Sequence, residues 1–138
     1  RKSFLIGDWI EFVGYEVSSR SVQPGESVTI RTVYRVEEDI PAGWKLFMHG
    51  VGSDEQLVNL DHRAVEGLYP VSRWKKEDIV VDEYTFSVPS DWQEDSIGLY
   101  LGVYHAEKGR ANIGGNVQSL ENRAHVTHLQ VSTSQSPK

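Results

Sequence analysis

Along most of this chain apolar residues recur at every second position, and that period of two points to strands rather than helices. Successive side chains of a strand point to opposite faces, so alternation gives one buried face and one wet face. The clearest run is Ser27 to Val36. Val28, Ile30, Tyr34 and Val36 fall on one face, and Thr29, Arg31 and Arg35 on the other. The run follows Pro24-Gly25, a turn signal. Ile97 to His105 alternates as strongly. Ile97, Leu99, Leu101 and Val103 are set inward, with Gly98, Tyr100, Gly102 and Tyr104 opposite.

The same reading divides the rest of the chain. Asp8 to Val17 is a first strand with faces Ile10/Phe12 and Trp9/Val13/Tyr15/Val17, and Gly14 marks a bulge or bend. After the turn Pro41-Ala42-Gly43, Trp44 to Val51 is a strand. It sets Trp44, Leu46 and Met48 against Phe47 and Val51. Gly52-Ser53-Asp54 is a hairpin loop that leads into a returning strand, Gln56 to Leu60. A long irregular stretch runs from Asp61 to Asp78. Ile79 to Val88 is the next strand, with Tyr84, Phe86 and Val88 on one face and Pro89-Ser90-Asp91 at its end. Ala106 to Arg123 reads as a loop rich in Gly and Asn, and Ala124 to Val131 as the last strand.

About seven or eight strands separated by turn signals predict an all-β fold, an antiparallel β-sandwich of immunoglobulin-like or jelly-roll-like type. A barrel is the structural alternative. The 138 residues suit one domain, residues 1–131, followed by a polar tail over 132–138 that is expected to fray.

Composition narrows the function classes. The net charge is −6, and Lys75-Lys76 is offset by Glu77-Asp78. Affinity for phosphate backbones needs a basic surface, so neither nucleic acid nor an anionic membrane surface is an expected partner. With no Cys, disulfides, thiol nucleophiles and zinc-thiolate sites are excluded. No run approaches 18 apolar residues, so no direct membrane insertion is expected. The chain begins at Arg1 rather than Met, as an excised or processed piece of a longer protein would.

An order of short motifs carries a resemblance. Gly7-Asp8-Trp9-Ile10 and Gly14-Tyr15 come first, then Pro24-Gly25-Glu26, Phe47-Met48-His49 and Leu60-Asp61-His62. Gly67 to Trp74 follows (Gly-Leu-Tyr-Pro-Val-Ser-Arg-Trp), then Val81-Asp82-Glu83-Tyr84 and Leu99 to Tyr104. Over residues 7–131 this order resembles a β-sandwich module found toward the C-termini of bacterial membrane-anchored, glycosyltransferase-like proteins. The resemblance implies a domain outside the cytoplasmic membrane, carried by a larger parent. It brings no assigned activity. The family tends to have Gly or a similarly small residue where this chain has His62, so no role for His62 comes with it.

The candidate ligand-binding cluster is Asp61, His62, Tyr69, Arg73 and Trp74, at a strand end and on the longest central loop. Flat aromatic faces beside charged hydrogen-bonding groups suit a sugar or a peptide. The competing reading makes Trp74 and Tyr69 a plug for the open end of the sandwich, Asp61 a turn cap and Arg73 one half of an ion pair. His49, His62 and His105, with Asp61, lack any local ligand spacing, so no metal is expected. Asp82-Glu83 and Glu94-Asp95 read as solvated carboxylates, and Gly109 to Gly115 as an inter-strand loop without a Walker pattern.

No Gly-x-Ser-x-Gly elbow appears, and no nucleophile, base and orienting group can be named together. The expectation is therefore a non-catalytic extracytoplasmic accessory module that needs no cofactor and recognises a glycan or a cell-envelope component. The first alternative is a structural protein-protein interaction domain, in which Tyr100 and Tyr104 face a partner. The second is a small hydrolase.

Overall fold

The alternating runs become two packed sheets. A computed structural model describes residues 4–52, 56–115 and 121–132. Its strands are β1 (Phe4–Ile6), β2 (Ile10–Val17), β3 (Ser21–Val22), β4 (Ser27–Val36), β5 (Trp44–Val51) and β6 (Leu57–Asn59), then β7 (Ile79–Ser87), β8 (Ser96–His105), β9 (Gly109–Arg110), β10 (Ile113–Gly115) and β11 (Ala124–Val131). Two single-turn segments, Ala64–Gly67 and Val71–Arg73, lie between β6 and β7.

One sheet has the order β10-β1-β2-β4-β7, the other β3-β11-β8-β5-β6, with β9 beside β8. Each inward-facing row meets the other sheet. Ile97, Leu99, Leu101 and Val103 of β8 are fully buried, as are Val28 and Tyr34 of β4. Burying each such aliphatic side chain is worth about 1.5–3 kcal/mol. A chain of rings runs through the core: Phe4 stacks on Phe12 at 4.6 Å, Phe12 meets Tyr34 at 5.7 Å, and Tyr34 meets Trp74 at 5.2 Å.

The architecture is the expected antiparallel β-sandwich, and the bulge at Gly14 is present, with the β2–β4 register shifting between Phe12 and Gly14. Several details differ. Asp8 and Trp9 belong to the turn between β1 and β2, not to a strand, because Gly7 at φ 60° reverses the chain there. The stretch from Ala106 to Arg123 contains β9 and β10, which pair with β8 and β1. So Gly109 to Gly115 is largely edge strand. β3 adds a parallel pairing to β11. Ser53 and Asp54 of the hairpin loop and residues 133–138 of the tail lie outside the described residues.

The outer face of the second sheet corrects another expectation. Tyr100 is only 7% exposed, packed against His125 at 5.3 Å and beneath the Arg123 guanidinium at 5.4 Å. Tyr104 is half-buried and meets Phe47 edge-on at 6.1 Å. Tyr100 is thus packed inside its own chain, and the two tyrosines do not form an open platform for a partner.

Candidate functional site

The site arises where the chain leaves the second sheet. β6 pairs with β5 in register over His49–Val51. Leu60 N–H still reaches the Met48 carbonyl at 2.9 Å, and the Asp61 carboxylate then accepts Met48 N–H at 2.8 Å. Asp61 N–H donates to the Asn59 side chain at 2.7 Å. From there the chain crosses toward the first sheet. It returns through Val71, which is buried under the turn that contacts β5. This excursion and the abandoned edge of β5 enclose an open cleft of about 510 Å³. Trp44, Lys45 and Leu46 form the strand side, while Asp61, His62, Arg63 and the stretch from Pro70 to Ser72 come from the excursion.

One buried carboxylate holds the excursion in place. Asp82, on an inward position of β7, is 1% exposed, so it is not a solvated carboxylate. Its neighbour Glu83 is exposed, as expected. Asp82 accepts His62 Nε2–H at 2.6 Å and Val65 N–H at 2.7 Å. His62 Nδ1 donates to the Leu60 carbonyl at 3.0 Å, and its ring lies flat on Tyr84 with centroids 3.8 Å apart. Both nitrogens face acceptors, which suits the doubly protonated ring. Burial works against the imidazolium. The bonds to Asp82 and Leu60, and the charges of Asp82 and Asp61, outweigh it and raise the His62 pKa above the usual histidine value.

The same carboxylate supports a strained turn. Val65 (φ 52°) and Glu66 (φ 56°) are both left-handed, before Gly67 at φ 84°. A β-branched residue in that region is an outlier that only surrounding contacts sustain.

The five candidate residues separate. Asp61 and His62 line the cleft. Tyr69, Arg73 and Trp74 do not. Trp74 is 1% exposed, its ring against Tyr34 and its Nε1–H donating to the Tyr69 carbonyl at 2.9 Å. It fills the core beneath the loop, as the plug reading has it. The Tyr69 hydroxyl donates to Asp78, which also accepts Lys75 N–H at 2.9 Å. That bond to Asp78 is the first cause of a raised Tyr69 pKa. Arg73 is exposed, and no ion pair to it is formed among the described residues. His49, His62 and His105 are each engaged separately. His49 accepts from Arg123 at 2.9 Å, and burial foremost lowers its pKa. His105 packs on Trp44 at 5.4 Å.

Sequence reasoning missed Lys45 and Arg63, and it misread Asp82 as a solvated carboxylate. Lys45 and Arg63 are exposed, both line the cleft, and neither forms an ion pair with a described residue. Nothing local says that the two meet. Asp82 did carry a signal: a charge at an inward position of an alternating strand, between Val80 and Tyr84.

No family model matches the chain, and no curated protein matches its sequence. Solved structures do resemble it. A Niemann-Pick type C2 protein from the Japanese carpenter ant superposes with a TM-score of 0.61 at 10% identity, over 94% of this chain and 98% of that one. The C-terminal domain of wzt superposes with a TM-score of 0.61 at 14% identity, over 97% of this chain and 80% of that one. At such identities the likeness defines the fold, an immunoglobulin-like β-sandwich, and nothing finer.

Proposed function

We propose that this chain is the non-catalytic binding module of a larger extracytoplasmic protein, and that the β5 cleft recognises an anionic component of the cell envelope. The carrying observation is a pair of exposed cations, Lys45 and Arg63, that form no ion pair among the described residues and line one concave site in a chain of net charge −6. Two such cations in one cleft, against the single carboxylate of Asp61 whose oxygen already accepts Met48 N–H, are available to an anionic ligand. The volume falls within the roughly 300–1,000 Å³ of small-ligand sites. The motif order described above supports the extracytoplasmic placement. The likeness in fold to a domain that ends a longer chain supports the modular reading alone. The His62–Asp82 pair does not read as an acid-base dyad, because both ring nitrogens are already bonded and the ring face is covered.

The test is an array of envelope glycans and acidic peptides probed with the wild type and with a Lys45→Glu/Arg63→Glu double variant. A specific hit that weakens at least about tenfold in a variant of unchanged Tm is expected, since each charge-assisted bond contributes about 1.5–3 kcal/mol. A hit indifferent to both reversals would remove the cleft from the reading.

A further inference from the structure

We propose that the cleft takes an extended peptide with acidic side chains, bound as one more strand along the free edge of β5; this rests on the cleft being the ligand site. The argument is one of backbone parity. Within a strand, the N–H and C=O of one residue point to the same side, and those of the next residue to the other. The Met48 carbonyl accepts Leu60 N–H, and Gly52 N–H donates to the Gln56 carbonyl at 2.8 Å. The even-numbered residues of β5 therefore point away from β8, toward β6. At Met48 the sheet is still completed, by Leu60 and by the Asp61 carboxylate. At Leu46 and Trp44 it is not. Their N–H and C=O groups point at the cleft, and no hydrogen bond from a described residue reaches them on that side.

The vacancy is collinear with β6. A partner strand there would continue the path that the chain abandons at Asp61, antiparallel to β5. At about 3.3 Å per residue, three or four residues would span it. Main-chain bonds would supply affinity and side-chain contacts specificity, as in other strand-addition complexes. Lys45 is the outward residue between the two free positions, and Arg63 stands on the opposing loop, so acidic side chains are the complementary ones. An oligosaccharide fits less well. Sugar platforms need an open aromatic face; of the Trp and Tyr residues that line the cleft, Trp44 is 7% exposed, held between Trp9 at 4.9 Å and His105 at 5.4 Å, and Tyr104 is half-buried with Phe47 at 6.1 Å.

The experiment uses the whole chain and three probes. The first is a pool of end-capped pentapeptides with glutamate at alternate positions and the others varied. The second is the same pool with alternate amides N-methylated, in both registers. The third is an oligomer of uronic acid. Binding is followed by NMR shifts and amide hydrogen exchange. Expected are exchange at the Leu46 amide slowed at least tenfold by the first pool, and at least tenfold weaker binding after N-methylation and after Lys45→Glu/Arg63→Glu. If the methylated pool or the uronate binds as well as the first pool, with the same charge dependence, the peptide proposal fails and the cleft survives as an anion site. If no probe perturbs the cleft, both fail.

Discussion

Removing the Asp82 carboxylate is the sharpest perturbation of this architecture. In Asp82→Ala, His62 Nε2 and Val65 N–H lose their shared acceptor, and the turn at Val65 and Glu66 loses the contact that sustains it. Breaking a buried pair by deleting one partner costs about 3–5 kcal/mol. With an unfolding entropy of roughly 2.1 cal/mol/K per residue, 138 residues give about 0.29 kcal/mol per degree, so Tm should fall by roughly 10–17 °C. The loss depends on pH. The folded pKa of His62 lies above its unfolded value, so the stability the pair contributes is complete below about pH 6.5 and fades as pH rises through the folded pKa. The gap between wild type and Asp82→Ala should therefore be widest near pH 5.5 and narrow toward pH 9. Asp82→Asn supplies the control. Its amide donates to a neutral Nε2 while its oxygen keeps Val65 N–H, so it should be milder than Ala and should weaken as pH falls and His62 charges. Thermal unfolding followed by circular dichroism reads all three. An Ala variant within 3 °C of wild type, or a gap that widens with pH, would refute the reasoning.

Other outcomes follow from single side chains. Trp74→Ala should lower stability by about 3–5 kcal/mol, since it empties a core position, and calorimetry should show the loss before any ligand is added. Among the described residues no well-formed hydrogen bond satisfies the buried Tyr34 hydroxyl beyond an approach to the Thr32 side chain, so Tyr34→Phe should hold or raise Tm, and a drop of several degrees would show that the Thr32 contact matters. Exposed Glu66 sits at φ 56°, where glycine is at ease, so Glu66→Gly should be neutral or stabilising by up to about 1 kcal/mol in denaturant titrations.

Reading strands from alternation succeeded where strands are long. β4, β5 and β11 begin and end at the residues that the pattern indicates, Ser27–Val36, Trp44–Val51 and Ala124–Val131. β1, β3, β9 and β10 have two or three residues each, too few to show a period. They are strands because a neighbouring edge offers them hydrogen bonds. The candidate site was legible only in part for a related reason. Asp61 and His62 stand out as polar residues at a strand end, and both line the cleft. Trp74 looks the same in sequence as a surface platform or a core plug, and burial alone separates the two.

By itself the sequence determined the class of fold, because alternation is a local property that each strand carries whether or not its partner is known. It also determined the acidic balance that makes Lys45 and Arg63 conspicuous. Only the tertiary structure decided that these two cations share a cleft, that Asp82 is buried beneath His62, and that no described residue pairs with Leu46 and Trp44 on the β6 side. Those facts depend on residues far apart in the chain being brought together where β6 ends and the excursion to β7 begins. A pattern with a period of two holds no information about where a strand's neighbour stops.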